Sequence, residues 1–387
     1  MLVTDGHLRP ALAAVRSLGR AGYRVHVCSP RRRSLAAASR YAIGHTTVAD
    51  PLRDQHAFAA AVDRLARSVD AQVLLPVSEE SLLAVLPTAE QAPGLNIPFP
   101  TIDVFRRASD KAYIMSLALK LGLAVPEQVV LASPDDLDHA DVEALAFPIV
   151  LKPSRSVAGT RETHVKLGVS YARDRRELAK LVEATHPSAF PLLLQRRIDG
   201  PGTGVFLLRW DGCVIARFAH RRIREKPPSG GVSVCCESVA LDPLTLRQSE
   251  MLLSALDWRG PAMVEFKQDR VSGRRYLMEI NGRLWGSLQL AIDAGVDFPT
   301  LLALAATGTR PTPVTQYAIG VRERWWWGEV DHLIGRLHER STDGSAPSRA
   351  RAAWSFLVNE DRARNEVLRR DDPWPAARET IDWFMRR

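Results

Sequence analysis

The chain has 387 residues, 46% of them hydrophobic and 25% charged, which is typical of a folded protein with two or three packed units and excludes a generally disordered chain. Its net charge is +8, but the 52 basic residues are seven lysines and 45 arginines spread along the whole sequence. This dispersed charge argues against a nucleic-acid partner, because such proteins concentrate basic residues on one face or stripe.

The four cysteines lack both the CxxC spacing and the nearby histidine pair of a metal site. We interpret them as small core residues in a reducing compartment. No apolar run reaches membrane-spanning length, and the N-terminus begins with a strand-like segment where a secretory signal would be basic and then apolar. We therefore expect a cytoplasmic protein that contacts no membrane. The oligomeric state stays open, with a homodimer as one option.

Strand patterns alternate with helical patterns at 10–21 and 55–68 in the first part of the chain. This alternation predicts a parallel sheet with crossover helices, a small Rossmann-like domain that ends at the proline-rich patch 93–100. The first turn, at 5–10, lacks the G-x-G-x-x-G fingerprint, so we do not predict NAD binding.

Glu79 and Glu80 follow a predicted strand and open a helix. Ligands of open α/β sheets gather at this edge, so the pair is a candidate for holding a substrate amine. The alternative is an ordinary pair of carboxylates at a helix start, where the helix dipole favours negative charge.

Two lysines are informative in a chain that otherwise uses arginine. Lys111 lies in the first turn of a predicted helix, where the dipole disfavours a cation, so a phosphate contact explains it better than helix stability. Lys152 ends a buried strand, and the small, flexible loop SRSVAGT follows it. The backbone N–H groups of such a loop can close over phosphates, although a solvated lysine at a strand end is the alternative.

A basic cluster at 220–226 precedes a glycine pair at 230–231. Both an anion-binding loop and an exposed strand with alternating arginines fit this pattern. Farther along, Trp325, Trp326 and Trp327 precede a helical pattern. We interpret these tryptophans as packing residues, with a ligand platform as the alternative.

The stretch 263–287 carries most of the chemistry. It predicts a hairpin that turns about Ser272, in which Glu265 lies opposite Glu279 and Asn281 shares their face. Opposed carboxylates between apolar residues are costly unless a cation neutralises them. Oxygen ligands of this kind suit magnesium, which usually combines one or two carboxylates with substrate phosphates. The hairpin therefore predicts a nucleotide site.

These pieces, in this order, resemble the ATP-grasp superfamily, which includes D-alanine–D-alanine ligase, biotin carboxylase and the large subunit of carbamoyl-phosphate synthetase. The resemblance covers residues 1–310 and rests on Asp110-Lys111, on 148–153, on 195–200 and, most specifically, on 264–266 together with 279–283. It implies an α/β and α+β fold. The implied parts are a Rossmann-like pre-ATP-grasp domain at 1–100, a linker helix with a lid subdomain at 101–190, an ATP-grasp subdomain with a metal site at 191–310, and a mixed C-terminal extension at 311–387.

The resemblance also implies roles for individual residues. The expected ATP-binding residues are Lys111, Lys152, Ser154, Ser156 and Gly159 for the phosphates, and Gln195, Arg196 and Ile198 for the adenine. The expected ligands of Mg²⁺, with Mn²⁺ as an alternative ion, are Glu265, Glu279 and Asn281. Arg283 and Arg224 are expected to steady the transferring phosphoryl group or the acyl phosphate.

The implied activity is an ATP- and Mg²⁺-dependent ligation of a small-molecule carboxylate to an amine through an acyl phosphate, with release of ADP and phosphate. The alternatives are a carboxylase or small-acid kinase of the same fold, and an ATP-binding protein without turnover. The sequence departs from the family pattern in three ways. Gly282 stands where proline is common, Arg196 occupies a hinge position that is often acidic, and no carboxylate for the ribose is evident.

Overall fold

In a computed structural model of the chain, the described residues are 1–89, 95–159, 164–227, 231–338, 353–354, 356 and 362–385. Part of the predicted phosphate loop, beyond Gly159, and the first glycine of the pair at 230–231 lie outside the described residues.

The first unit is a parallel four-stranded sheet with crossover helices, which confirms the Rossmann-like prediction. Its strands are β1 (Leu2–Val3), β2 (Val25–Ser29), β3 (Ala42–Thr47) and β4 (Leu74–Leu75), in the order β3-β2-β1-β4. Its helices are α1 (Arg9–Arg20), α2 (Gln55–Ser68) and α3 (Glu79–Ala89). Pro10 suits the first turn of α1, which needs no N–H there, and Asp54 caps α2 by accepting from the Ala57 N–H. Strand β3 was not predicted from the sequence, and it is largely half-buried at the sheet edge.

A second four-stranded sheet, the lid sheet, follows helices α4 (Ile102–Ser109) and α5 (Lys111–Lys120). Its strands, all antiparallel, are β5 (Gln128–Leu131), β6 (Ile149–Pro153), β9 (Ser170–Ala172) and β10 (Leu192–Arg196), in the order β5-β10-β6-β9. A small hairpin of β7 (Val157–Gly159) and β8 (His164–Lys166) and helix α6 (Arg175–Glu183) complete this unit. The sheet combines strands that precede residue 190 with one that follows it. Residue 190 is the boundary predicted between the lid subdomain and the ATP-grasp subdomain.

The main sheet has seven strands in the order β15-β14-β11-β12-β13-β16-β17. They are β11 (Gly202–Trp210), β12 (Cys213–Lys226), β13 (Val232–Ser238), β14 (Gly260–Gln268), β15 (Arg275–Asn281), β16 (Arg322–Arg324) and β17 (Arg364–Asn365). The accompanying helices are α7 (Pro243–Ala255), α8 (Leu288–Asp293), α9 (Phe298–Ala306), α10 (Trp326–His338) and α11 (Trp374–Met385). Neighbouring strands are antiparallel except for β16 and β17.

The two faces of the main sheet bury separate cores. Phe206 and Leu208 of β11 pack in the same core as α1, α8 and α9, whereas Val205 and Leu207 pack in the core that contains α4, α5 and α7. This follows from the period of two in a strand, which sends successive side chains to opposite faces. The sheet is therefore covered on both sides, with the first unit against one face and the linker helices against the other.

The C-terminal segment is built into this framework. Strands β16 and β17 extend the main sheet, and Arg16 of α1 forms a fully buried ion pair with Asp372, with 2.8 Å between Arg16 Nε and Asp372 Oδ2. In the described part of the chain, none of the helices combines the length and the apolar character needed to cross a membrane.

Candidate active site

A cleft of about 670 Å³ lies between the lid sheet and the main sheet, and we call it the central cleft. Both sheets contribute residues that were predicted from the sequence to form the site. The selected residues that line it are Lys111, Lys152, Ser156, Gln195, Arg196, Ile198, Glu265, Glu279, Asn281 and Arg283. The fold thus gathers most of the predicted site residues around one space.

The hairpin of β14 and β15 supplies the acidic part of the central cleft. Its register pairs Glu265 with Glu279 and Met263 with Asn281, which confirms the pairing expected from the sequence. A bulge between Glu265 and Phe266 shifts the register nearer the turn. Because directly paired residues present their side chains on the same face, the two carboxylates lie opposite each other.

Glu279 is surrounded by cationic and amide groups. Lys111 Nζ lies 3.5 Å from Glu279 Oε2, and the Asn281 amide donates to Glu279 Oε1 at 2.9 Å. Arg283 in turn donates to Asn281 Oδ1 at 2.9 Å. Burial raises the pKa of Glu279, but Lys111, Asn281, Lys152 and Arg283 together outweigh it and lower the pKa to about 2. The carboxylate is therefore ionised throughout the physiological range.

Glu265 has a different cation. Arg222 of β12 donates to Glu265 Oε2 and, at 2.8 Å, to Glu225 Oε1. Burial raises the pKa of Glu265, while Arg222 pulls it down and the nearby Glu279 raises it further. Burial lowers the pKa of Arg222, but the two carboxylates outweigh it and the net pKa is raised. The two opposed glutamates are thus balanced separately, one by Arg222 and the other by Lys111.

Lys111 is held at the start of α5 despite its unfavourable position in the helix dipole. Asp110 caps the helix by accepting from the Tyr113 N–H at 3.1 Å, and the Ser154 carbonyl accepts from the Lys111 N–H at 2.8 Å. The ammonium donates to Ser156 Oγ at 2.8 Å, and the side chain is only 8% exposed. These contacts direct a buried cation to the central cleft.

Lys152 of β6 carries a partly buried ammonium with weak compensation. Its Nζ lies 3.9 Å from Met278 Sδ, and a thioether is a poor acceptor. In the described part of the chain, no carboxylate comes within ion-pair distance of this Nζ. Burial lowers the pKa of Lys152, and the more distant Glu279 and Glu265 only partly offset it. Partial burial of a charge is unfavourable unless an anion accompanies it, which suits a phosphate ligand.

The connector that follows β10 joins the lid sheet to the main sheet. Gln195 is 2% exposed. The Arg196 guanidinium donates to the Tyr276 hydroxyl at 3.2 Å, and Lys267 Nζ donates to the Ile198 carbonyl at 3.4 Å. Because both partners, Tyr276 and Lys267, belong to the β14–β15 hairpin, the connector is tied to the acidic wall of the cleft.

Two of the predicted phosphate-loop residues, Ser154 and Gly159, make contacts within the protein. Ser154 is 1% exposed and donates through its hydroxyl to Asp110, so it fixes the start of α5. Gly159 ends β7 and pairs with His164, directly before a segment outside the described residues. Ser156 is the loop residue that lines the cleft and contacts Lys111.

The Arg224 side chain contacts helix α10 in the C-terminal segment. It forms a bidentate ion pair with Glu329 of α10, at 2.7 and 3.0 Å. Arg222, two residues earlier in β12, lines the central cleft. Strand periodicity would put both arginines on one face, but β12 is irregular between Arg222 and Arg224 and again between Arg224 and Glu225. The irregularity separates the two side chains.

Several charged cleft residues received no individual role from the sequence, among them Arg222, Glu225 and Lys267. Lys267 offered a signal, since it is one of only seven lysines and lies two residues beyond Glu265. Arg222 and Glu225 offered none that separates them from the neighbouring charges, because their placement depends on the irregularities of β12.

The structure explains the glycine at position 282. A Cβ atom there would lie 2.2 Å from Cη2 of Trp258, whose indole is 2% exposed and packed in the core. Any larger residue would overlap this ring. The close approach of Trp258 is therefore the reason for Gly282 at a position where the resembling family commonly has proline.

The described residues contain no group of three His, Cys, Asp or Glu side chains arranged for a metal ion. A cation in the central cleft would have the carboxylates of Glu265 and Glu279 and the amide oxygen of Asn281 as protein ligands. This set of hard oxygen donors is incomplete by itself and suits Mg²⁺, which takes its remaining ligands from water and phosphate. The residues present therefore fit a magnesium–nucleotide complex better than a closed metal site.

Residues 188–325 match the model of a family described as ATP-grasp in the biosynthetic pathway with Ter operon. Phosphoribosylamine–glycine ligase of Corynebacterium ammoniagenes is 24% identical over 250 residues, a match that covers 57% of this chain and 55% of the relative. The chain thus spans about half the length of this curated relative.

Two solved structures share the fold. The L-amino acid ligase from Bacillus licheniformis is 20% identical, with 79% of this chain and 73% of that chain covered and a TM-score of 0.61. The biotin carboxylase domain dimer of the Hydrogenobacter thermophilus 2-oxoglutarate carboxylase, solved with MgADP, ADP and bicarbonate, is 17% identical, with 83% and 73% covered and a TM-score of 0.65.

Proposed function

Because the chain has the ATP-grasp fold and its residues 188–325 match an ATP-grasp family, we propose that it is an ADP-forming ligase that joins a carboxylate to an amine. The observation that carries this proposal is the convergence of Lys111, Lys152 and Arg283 on the wall formed by Glu265 and Glu279. Phosphoryl transfer depends chiefly on positioning and charge neutralisation, and these are the charges it requires.

The nucleotide would occupy the central cleft. Lys152 would hold its phosphates, because a partly buried ammonium whose contact among the described residues is a thioether gains a full anionic partner there. Lys111 and Ser156 lie on the same side of the cleft and would contact the terminal phosphate. The adenine would lie against the connector at Gln195, Arg196 and Ile198, where the lid sheet meets the main sheet.

Glu265, Glu279 and Asn281 would hold the magnesium ion, with Mn²⁺ as an alternative. When bound, the ion supplies neutralisation of the phosphate charge and orients the phosphates. The chain prepares the site in advance, since Asn281 fixes one carboxylate oxygen of Glu279 and Arg283 fixes the oxygen of Asn281. Arg222 and Lys111 now balance the glutamates and would become available to phosphate oxygens once a divalent cation replaces them.

In the proposed reaction, a substrate carboxylate oxygen forms a bond to the γ-phosphorus while the bond to the β,γ-bridging oxygen breaks, and ADP leaves. The product of this step is an acyl phosphate. The amine nitrogen then bonds to the acyl carbon, inorganic phosphate leaves with the electron pair, and the nitrogen loses a proton. Arg283, held beside Asn281, would stabilise the negative charge that develops on the transferring group.

Arg222 is our candidate for the second arginine at the acyl phosphate, in the place expected for Arg224. Arg222 lines the central cleft, whereas Arg224 is engaged by Glu329 outside it. Arg222→Lys and Arg224→Lys compare the two directly. A lysine cannot reproduce the forked contacts of a guanidinium at either position. We expect the larger loss of ADP formation from Arg222→Lys, because Arg222 makes those contacts in the central cleft and Arg224 makes them with Glu329.

The decisive experiment incubates the protein with ATP, MgCl₂ and pooled small carboxylates and amines, and separates ADP from AMP before products are identified by mass. A parallel reaction replaces the amines with hydroxylamine, which traps an acyl phosphate as a hydroxamate. We expect ADP, an amide and a hydroxamate. Formation of AMP would overturn the acyl-phosphate scheme, and ADP release that depends on bicarbonate alone would point to a carboxylase.

A further inference from the structure

A second pocket of about 530 Å³ adjoins the central cleft and shares Glu279, Asn281 and Arg283 with it. It lies where the carboxyl ends of β1 and β4 meet the C-terminal helices α10 and α11, so a molecule bound there reaches the reacting end of the cleft. Ligands of open parallel sheets bind at this edge. The pocket has two distinctive parts, an aromatic wall and an excess of carboxylates.

The aromatic wall consists of Trp325, Trp327 and Trp383. All three indole N–H groups already have acceptors within the protein. Trp325 donates to Glu379 at 2.7 Å, and Trp327 donates to Thr380 at 3.1 Å. Trp383 donates to an oxygen of Asp331 at 3.1 Å, and its ring stacks on Trp327 with 4.1 Å between centroids. The three rings are partly exposed, and the Arg9 guanidinium lies over the Trp325 ring, 4.0 Å from its centroid. The partly exposed rings of Trp327 and Trp383 are therefore the apolar surface that a ligand can contact.

The carboxylates of this pocket outnumber its permanent cations. The acidic residues are Glu79, Glu80, Glu279, Glu379 and Asp382, and the basic ones are Arg9, Arg31, Lys166 and Arg283. Several acids are internally compensated, as Glu80 is by Lys166 at 2.7 Å. Among the described acidic residues of the lining, Glu79 is the one for which the structure shows neither a hydrogen bond nor an ion pair. It also borders the small recess that contains Lys111, Ser156 and Glu279.

We propose that the second pocket binds the amine substrate, with its ammonium group beside Glu79 and a large aromatic or apolar body against the aromatic wall. This inference rests on the proposed ligase function and adds the chemical class of the second substrate. The wall already accommodates a cation over an indole, since the Arg9 guanidinium lies 4.0 Å from the centroid of the Trp325 ring. A free carboxylate ligand would meet Glu79 unfavourably, so the charge of the pocket selects an amine.

The test uses three probes of matched size or charge. Isothermal titration at pH 7 measures binding of 2-phenylethylamine, ethylamine and 3-phenylpropionate to the full chain in the presence of MgADP. Ethylamine removes the ring, and 3-phenylpropionate keeps the ring but reverses the charge. We expect 2-phenylethylamine to bind at least tenfold more tightly than either of the other probes.

Two variants localise the binding. Glu79→Gln keeps the shape of the side chain and should lower the affinity for 2-phenylethylamine at least tenfold. Trp383→Phe should lower the affinity for 2-phenylethylamine more than the affinity for ethylamine. Glu183→Gln, on the exposed end of α6, is the matched control and should change nothing. The inference is overturned if 3-phenylpropionate binds as well as the amine, if Glu79→Gln leaves amine binding unchanged, or if no probe binds.

A separate titration with MgADP distinguishes this inference from the function on which it rests. Failure of the wild-type protein to bind MgADP contradicts the proposed ligase. Normal MgADP binding without any preference for the aromatic amine contradicts only the assignment of the second pocket.

Discussion

Glu265 and Glu279 face each other in the main sheet, yet each carboxylate is balanced by a cation from a different element. Arg222 of β12 binds Glu265, and Lys111 of α5 lies 3.5 Å from Glu279. A divalent cation between the two glutamates would release both basic side chains toward a phosphate ligand. In the proposed site, the arrangement would therefore link metal binding to the positioning of the groups that neutralise the phosphates.

Glu279→Gln tests this arrangement most directly. The substitution keeps the size of the side chain but removes a charge that Lys111, Lys152 and Arg283 now share. We expect ADP formation to fall by about 10²–10³-fold, the usual effect of removing one preorganised electrostatic group. Steady-state ADP release at saturating MgCl₂ measures it, with Glu183→Gln as the control. Undiminished turnover by Glu279→Gln would contradict the metal assignment.

Lys152→Met should separate stability from nucleotide binding. Methionine fills a similar volume without a charge, and among the described residues the partly buried ammonium of Lys152 contacts the Met278 thioether and no carboxylate. We therefore expect the free energy of unfolding of the nucleotide-free protein to stay the same or to rise, while the affinity for MgATP falls at least tenfold. Urea denaturation and calorimetric titration measure the two quantities, and Lys120→Met on the exposed face of α5 is the control. A large loss of stability would show that Lys152 is structural.

The same lysine predicts how nucleotide binding depends on pH. Burial lowers the pKa of Lys152 in the free protein, and an anionic phosphate beside it would raise that pKa again. Between the two pKa values the complex holds one proton more than the free protein, so binding takes up a proton and the affinity falls as the pH rises. Titrations in buffers with different ionisation enthalpies detect this uptake. It should disappear in Lys152→Met, and its persistence there would assign it to another group.

Gly282→Ala should lower the free energy of unfolding for a purely steric reason. The added Cβ would lie 2.2 Å from the Trp258 ring, which is 2% exposed and cannot move without disturbing the core. Overpacking of this kind costs about 1–3 kcal/mol. Gly168→Ala is a suitable control because a Cβ there meets nothing within 4 Å. Equal unfolding free energies for the two variants would show that the strand end relaxes around position 282.

The sequence predicts the features that depend on short-range periodicity. The opposition of Glu265 and Glu279 follows from counting residues on either side of one turn, and Lys111 stands out because a cation at a helix start needs a reason. Features that depend on irregular strands or on pairing between distant segments cannot be predicted by counting residues. With the irregularities of β12, Arg222 lines the cleft and Arg224, which was expected there, does not. Strands β16 and β17 have three and two residues, too few for a periodic signal. The aromatic wall likewise joins Trp327 to Trp383 across intervening chain, so only the fold reveals it.

The buried pair of Arg16 and Asp372 offers the last prediction, because it anchors the segment that precedes α11 and its part of the aromatic wall. Asp372 also accepts from the Ser39 hydroxyl at 2.7 Å and from the Arg40 N–H at 2.9 Å, and neither partner of the pair is exposed. Asp372→Asn leaves a buried guanidinium uncompensated, which should lower the free energy of unfolding by about 3–5 kcal/mol.

The neighbouring Asp371 provides the matched control for this substitution. It pairs with Arg20 at the surface, where both side chains are more than a third exposed, so Asp371→Asn should cost less than about 1 kcal/mol. Urea denaturation measures both variants. If Asp372→Asn loses stability, binding of 2-phenylethylamine should weaken with it while MgADP still binds, because α11 carries Trp383 but no residue of the central cleft. Equal stability of the two variants would show that the C-terminal segment does not depend on this pair.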